Sequence, residues 1–198
     1  EIYGNALETP QKEGYLGNVN TIGPRSCYDE GKRCAESILF DAHRKLGANI
    51  RLVRIFNTYG PYMDKNDGRV VSNFIVQALE GKPLTMYGTG EQTRSFCYID
   101  DLLEGLTAVM EGNEVGPYNL GNPQEYTMKQ LAEIVIAKTN SKSQIIFEPL
   151  PIDDPVRRRP DITKAKEAFN FGPKIGLDKG IENTVKYFLK VLKEEKNG

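Results

Sequence analysis

The stretch from Cys27 to Phe56 constrains the fold of this chain more than any other. Ala35, Ile38, Leu39, Ala42 and Leu46 recur at helical spacing, and Gly47 supplies a stop. Ile50-Arg-Leu-Val-Arg-Ile-Phe56 then alternates and is rich in branched residues, which predicts a strand. The strand ends in Asn57-Thr-Tyr-Gly-Pro61, a turn signal. A helix running into a strand is half of a βαβ crossover. The expected class is therefore α/β.

The remaining pattern agrees. The first 26 residues, rich in Gly, Pro and Asn, read as a long surface loop. A helix is predicted from about Val70 to Leu79. Short strands at Leu84–Tyr87 and Ser95–Ile99 flank Gly88-Thr-Gly90, which reads as a hairpin turn rather than a phosphate loop. Asp100 or Asp101 is expected to cap a helix running to Met110. Tyr118–Leu120 and Ile145–Phe147 read as strands. Thr127-Met-Lys-Gln130 is a capping box opening a helix to about Lys138. Further helices are expected over Thr163–Phe169 and, amphipathic and longer, Leu177–Glu195.

Composition narrows the functional classes. Of 198 residues, 39% are hydrophobic and 27% charged, as in a folded globular protein. The net charge of −1, without a long block of one sign, leaves no broad footprint for nucleic acid, so any bound anion needs a local cluster. Cys27, Cys34 and Cys97 lack metal-ligand spacing. On a helix Cys27 and Cys34 share a face two turns apart, too far to bridge, and read as free thiols in a reducing compartment. The single His43 does not complete a zinc site, so no metal is expected. No apolar run reaches membrane-spanning length.

Tyr28-Asp-Glu-Gly-Lys32 is the first constellation with chemistry in it. Positions i and i+4 share a helix face, and an ammonium beside a phenol favours the phenolate. A tyrosine acting as general base on a sugar hydroxyl needs that arrangement. The same spacing also describes a surface tyrosine lying on a lysine stem, and both readings stand on these residues alone. Arg94, between two short strands and near a Gly turn, is placed either for phosphate, which a guanidinium meets in a bidentate way, or as a solvated charge. Arg157, Arg158 and Arg159 form a basic run of a kind usually solvated.

Glu1-Ile-Tyr-Gly4, Tyr28-x-x-x-Lys32 behind a long loop, and Arg54-Ile-Phe-Asn-Thr-Tyr-Gly-Pro61 occur in that order. Together they resemble the extended short-chain dehydrogenases that modify nucleotide sugars. The resemblance covers nearly the whole chain. It sharpens toward the UDP-glucuronate decarboxylases at Pro24-Arg-Ser-Cys-Tyr-Asp-Glu-Gly-Lys-Arg33, Asn66-Asp-Gly-Arg-Val-Val-Ser-Asn-Phe74 and Asp154-Pro-Val-Arg-Arg-Arg-Pro-Asp-Ile162. Gln92-Thr-Arg-Ser-Phe-Cys-Tyr-Ile-Asp-Asp-Leu102 is similar both to these and to dTDP-glucose 4,6-dehydratases.

The resemblance implies the C-terminal part of a doubly wound Rossmann-type domain plus a smaller α/β substrate-binding domain. Residues 1–60 would end the NAD-binding domain, and 61–198 would form mostly the nucleotide-sugar subdomain, with segments around 90–125 returning to the first. It implies Tyr28 as catalytic base, Lys32 as its partner on the nicotinamide ribose, and Glu1 as the active-site glutamate. Thr58 and Arg69 match cofactor-lining positions, and Asn57 and Arg94 match positions on the substrate diphosphate. Tyr87 falls where the nucleotide base packs, and Arg158 at the carboxylate end of the sugar. The implied reaction converts UDP-glucuronate to UDP-xylose and carbon dioxide through a 4-keto intermediate, with NAD recycled, in a homodimer. The implied compartment is the cytoplasm, or the Golgi lumen where an anchor precedes Glu1.

No Gly-x-x-Gly-x-x-Gly follows a strand and opens a helix here. The expectation is that the family's N-terminal cofactor-binding third lies ahead of Glu1. Two rivals stay open on the sequence: a 4,6-dehydratase or 4-epimerase on a nucleotide hexose, and a non-catalytic binding or dimerisation module.

Overall fold

A computed structural model describes residues 1–150 and 157–197. The first three residues of the 154–162 motif, Asp154, Pro155 and Val156, lie outside the described residues. The elements run α1 (Ser26–Leu46), β1 (Val53–Ile55), β2 (Thr58–Tyr59), α2 (Val70–Leu79), β3 (Leu84–Tyr87), β4 (Thr93–Ser95), β5 (Cys97–Tyr98) and α3 (Ile99–Glu111). They continue β6 (Tyr118–Leu120), β7 (Glu125–Thr127), α4 (Met128–Thr139), β8 (Ile145–Glu148), β9 (Arg157–Arg158), α5 (Thr163–Phe169) and α6 (Leu177–Asn197). The class is α/β, as expected.

Pairing is mostly parallel. β1 pairs with β6 and β2 with β5, so strands from 97–120 lie against strands from the first 60 residues. β3 pairs with β8, also parallel, while β4 takes β7 antiparallel on one edge and β9 parallel on the other. Two apolar clusters follow. One packs α2, β3, α4 and α6 through Phe74, Ile75, Leu84, Met86, Leu131, Ile181 and Phe188. The other packs α3, β6 and α5 through Leu102, Val109, Leu120, Ala165 and Phe171, and Ile99 touches both.

Four local expectations are corrected. Asn57-Thr-Tyr-Gly-Pro61 is not simply a turn: Thr58–Tyr59 forms β2, because Cys97 N–H donates to the Asn57 carbonyl at 2.8 Å and the buried Tyr59 ring packs edge-on against Phe96 and Tyr98. Gly88-Thr-Gly90 does not join a hairpin. β3 turns its edge to β8, and the carbonyls of Gly90 and Gln92 accept from Lys129 and Met128 at the start of α4. A Cβ on Gly90 (φ +77) would come within 2.2 Å of Met86 Sδ, so the turn needs glycine for space as well as for its backbone. The strand over 95–99 breaks at buried Phe96 into β4 and β5, which take different partners. Neither Asp100 nor Asp101 caps α3; Tyr98 holds that place, and buried Asp101 instead accepts from Ile175 N–H at 3.0 Å. The capping box at Thr127 and Gln130 is formed as expected, and Gly47 closes α1 in the left-handed conformation.

Among the described residues α1 buries only Asp29. Polar tethers hold it in place. Arg33 Nη1 donates to the carbonyls of Ile2 and Leu16 at 2.7 and 2.8 Å. Arg54 of β1 forks onto Glu36 of α1, and its Nη1 donates to Tyr3 Oη and the Glu13 carbonyl, both at 2.9 Å. Burial opposes the Arg54 charge, but Glu36 and Tyr3 outweigh it and hold the guanidinium above its ordinary pKa. Tyr3 Oη in turn donates to Asn119 of β6 at 2.7 Å.

The Arg54 and Glu36 side chains are only 11% and 16% exposed, so removing one partner strands the other. Arg54→Ala is expected to cost about 3 kcal/mol in urea unfolding, and Arg54→Ala/Glu36→Ala is expected to be more stable than the single variant. Cys97 is buried, and burial pushes its thiol up to about 12, whereas Cys27 and Cys34 are exposed. An aromatic disulfide reagent is therefore expected to label Cys27 and Cys34 in native protein and Cys97 only in denaturant, as read by mass spectrometry.

Candidate active site

A cavity of about 820 Å³ lies between the two halves of the fold, a volume suited to a small-molecule or cofactor ligand. Its walls come from the first loop, α1, β1, β2, the start of α2, β3, β4 and β9. All nine residues singled out from the sequence line it: Glu1, Tyr28, Lys32, Asn57, Thr58, Arg69, Tyr87, Arg94 and Arg158.

Helical geometry sets the first pair. Tyr28 sits in the first turn of α1, half exposed, and Lys32 Nζ lies 5.8 Å from its ring centroid. From the other direction the Arg25 guanidinium carbon lies 6.0 Å from the same ring. Glu1 Oε1 stands 3.4 Å from Arg25 Nη2 and 3.5 Å from Arg158 Nη1. The start of the chain, the start of α1 and β9 thus meet at one carboxylate.

Strand register sets the second group. Arg94 of β4 is directly opposite Arg158 of β9. Arg94 is buried, its Nη1 donating to the Thr93 carbonyl at 2.9 Å. Glu125 of β7 clamps the outer side of this sheet. Arg157 donates to both its oxygens, at 2.7 and 2.5 Å, and Thr93 Oγ1 donates to it at 2.8 Å. Tyr87, at the end of β3, is half exposed, and its carbonyl accepts from Gln92 Nε2 at 2.6 Å. Thr58 Oγ1 donates to the Phe56 carbonyl at 2.9 Å. Arg69 immediately precedes α2, and its side chain is 68% exposed, with only a long 3.9 Å contact to Asp67.

The charge balance of the cavity is unlike that of the chain. Among the described residues seven cationic side chains line it, against two carboxylates, Glu1 and Glu36. Arg54 is committed to Glu36 and Arg157 to Glu125. Arg25 and Arg158 share Glu1, and Lys32, Arg69 and Arg94 line the cavity as well, so cations outnumber carboxylates in the described lining, which suits a polyanionic ligand. Among the described residues no cluster of His, Cys, Asp and Glu is arranged to hold a metal, and no helix is long and apolar enough to cross a membrane.

Arg25, Arg54 and Gln92 also line the cavity and were not among the sequence candidates. The signal for Arg25 was its place one turn before Tyr28. The signal for Arg54 was a charge inside an otherwise apolar strand pattern.

Residues 1–121 match the model of the NAD dependent epimerase/dehydratase family. The chain is 54% identical, over its full length and 46% of the other protein, to UDP-glucuronic acid decarboxylase 1 of Arabidopsis thaliana. It is 50% identical, over its full length and 47% of the other, to UDP-glucuronic acid decarboxylase 1 of Xenopus tropicalis. It thus spans about half the length of the decarboxylases it matches. Among solved structures it resembles a Thermotoga maritima UDP-glucose 4-epimerase with UDP-glucose, at TM-score 0.90 and 29% identity over 96% of this chain and 61% of that one. It also resembles a Bacillus cereus UDP-glucuronic acid 4-epimerase in complex with UDP-glucuronic acid and NAD, at TM-score 0.87 and 27% identity over 96% and 59%.

The Glu125 carboxyl is held below its ordinary value of 4.5, first by the hydrogen bond from Arg157 and then by Thr93 and the nearby guanidiniums. A depressed carboxyl contributes its stability above the unfolded-state pKa and loses it as pH falls through the folded one. Glu125→Gln is expected to melt lower than wild type at pH 7. Its deficit should shrink as pH falls below 4.5, as read by circular dichroism.

Proposed function

Because the chain belongs to the NAD-dependent epimerase/dehydratase family, we propose that it carries the catalytic and sugar-binding portion of a UDP-glucuronate decarboxylase that forms UDP-xylose and carbon dioxide. One observation carries this reading: a cavity whose described lining is rich in cations also holds a tyrosine–lysine pair and a carboxylate between two arginines. The identity to decarboxylases over the whole chain supports it.

The residues present fit the nicotinamide end of NAD. Tyr28, Lys32, Thr58 and Arg69 line one cavity, and Lys32 is placed for a ribose hydroxyl beside the Tyr28 ring. Bound NAD would supply oxidation of the sugar 4-hydroxyl to a ketone, which makes the neighbouring C5 carboxylate a β-keto acid, and the reversal after carbon dioxide leaves. Tyr28 takes the proton of the 4-hydroxyl, with the Lys32 ammonium standing beside its ring. Arg94 and Asn57, both lining the cavity, bind the diphosphate. Tyr87 offers a half-exposed ring for the uracil to pack on. Arg158 orients the sugar carboxylate, and Glu1 holds Arg158 in register.

The test is product analysis on the intact protein. Incubation with UDP-glucuronate and NAD is expected to release carbon dioxide and UDP-xylose. A 4-keto-6-deoxy sugar or a C4 epimer from the corresponding UDP-hexose, without carbon dioxide from UDP-glucuronate, would replace this reading with a dehydratase or epimerase. Tyr28→Phe is expected to lower kcat by roughly 100-fold or more with UDP-sugar binding retained.

A further inference from the structure

Arg25 lines the cavity, and the proposed reaction assigns it no role. It immediately precedes α1, and its guanidinium faces the Tyr28 ring. Its Nη2 and the Nη1 of Arg158 approach the same oxygen of Glu1, at 3.4 and 3.5 Å. Two cations from distant parts of the sequence therefore converge on a single anion. Both contacts are longer than a charge-assisted hydrogen bond, which runs at about 2.7–2.9 Å. One carboxylate leaves the pair with surplus positive charge. The Arg25 Nε is moreover buried and has no hydrogen-bond partner among the described residues, although buried donors ordinarily find one.

We propose that Arg25 is a second carboxylate-binding arginine, which together with Arg158 selects a nucleotide sugar bearing a carboxylate beside the hydroxyl that meets Tyr28. The proposal rests on the UDP-glucuronate reading and adds to it a residue that determines specificity. The 4-hydroxyl and the C5 carboxylate sit on adjacent ring carbons, so the base and the carboxylate donor must stand side by side. Arg25 meets that demand: one turn from Tyr28, it reaches the tyrosine ring in one direction and the Glu1–Arg158 pair in the other. A guanidinium offers a planar fork matched to a carboxylate, which the Lys32 ammonium does not. A second carboxylate would balance the surplus charge and give the buried Nε an acceptor. An uncharged hydroxymethyl group does neither, so a UDP-hexose would leave both costs in place.

The test uses the intact protein and its Arg25→Gln and Arg25→Lys variants, with calorimetric binding of UDP-glucuronate, UDP-glucose and UDP. Arg25→Gln is expected to weaken UDP-glucuronate by roughly tenfold or more while UDP and UDP-glucose stay within about twofold. Arg25→Lys should recover part of the loss, and KM should rise in step. Equal weakening of all three ligands would mark Arg25 as structural and overturn the proposal. So would an Arg25→Gln variant that discriminates as wild type does, leaving the decarboxylase reading intact. A wild-type protein that does not prefer UDP-glucuronate to UDP-glucose would overturn both.

Discussion

The fork of Arg54 on Glu36 decides where α1 stands. α1 carries Tyr28 and Lys32, yet it buries only Asp29 among the described residues. Apolar packing therefore does not set its position here; directional contacts do. Arg54 reaches from β1 to Glu36 on the helix, to Tyr3 and to the Glu13 carbonyl, and Tyr3 passes the link to Asn119 on β6. Asn119 then donates to the carbonyls of Gln11 and Asp161. One network thus ties the opening loop, the helix, two paired strands and the segment after β9. Its donors and acceptors are mostly buried, where hydrogen bonds are strong when complete and costly when one member is lost.

A second network does for the opposite wall what Arg54 does for the first. Glu125 joins β7 to β4 through Thr93 and to β9 through Arg157. It pairs with Arg157 of β9, while the neighbouring Arg158 pairs with Glu1. Alternation along a strand sends the two arginines to different carboxylates, since neighbouring side chains point to opposite faces. The chain as a whole is nearly neutral, yet its acidic groups are distributed so that the cavity stays positive. That partition gives a protein of net charge −1 a cavity lining suited to a polyanion.

The helices were readable wherever their signals were local. α2 and α5 begin and end where periodicity placed them, and α4 opens on the capping box at Thr127. The misread segments share one property: their neighbours in space are remote in sequence. Thr58 and Tyr59 look like part of a turn until Cys97 and Tyr98 pair with them. Gly88 to Gly90 look like a hairpin until β8 takes the edge of β3 and α4 takes the turn's carbonyls. Asp101 looks like a cap until the backbone of Ile175 reaches it.

The candidate site divides the same way. Tyr28 and Lys32 share a face because they are four residues apart on a helix, and that follows from the chain itself. The residue types suited to diphosphate and carboxylate are likewise written in the sequence, as arginines at 25, 94 and 158. That Arg25 and Arg158 meet at Glu1, and that Arg94 lies opposite Arg158, was decided only in three dimensions. Closing so long a loop leaves no local trace, and strand register determines which arginine stands opposite Arg94. A slip of one residue would bring Arg157 rather than Arg158 opposite Arg94.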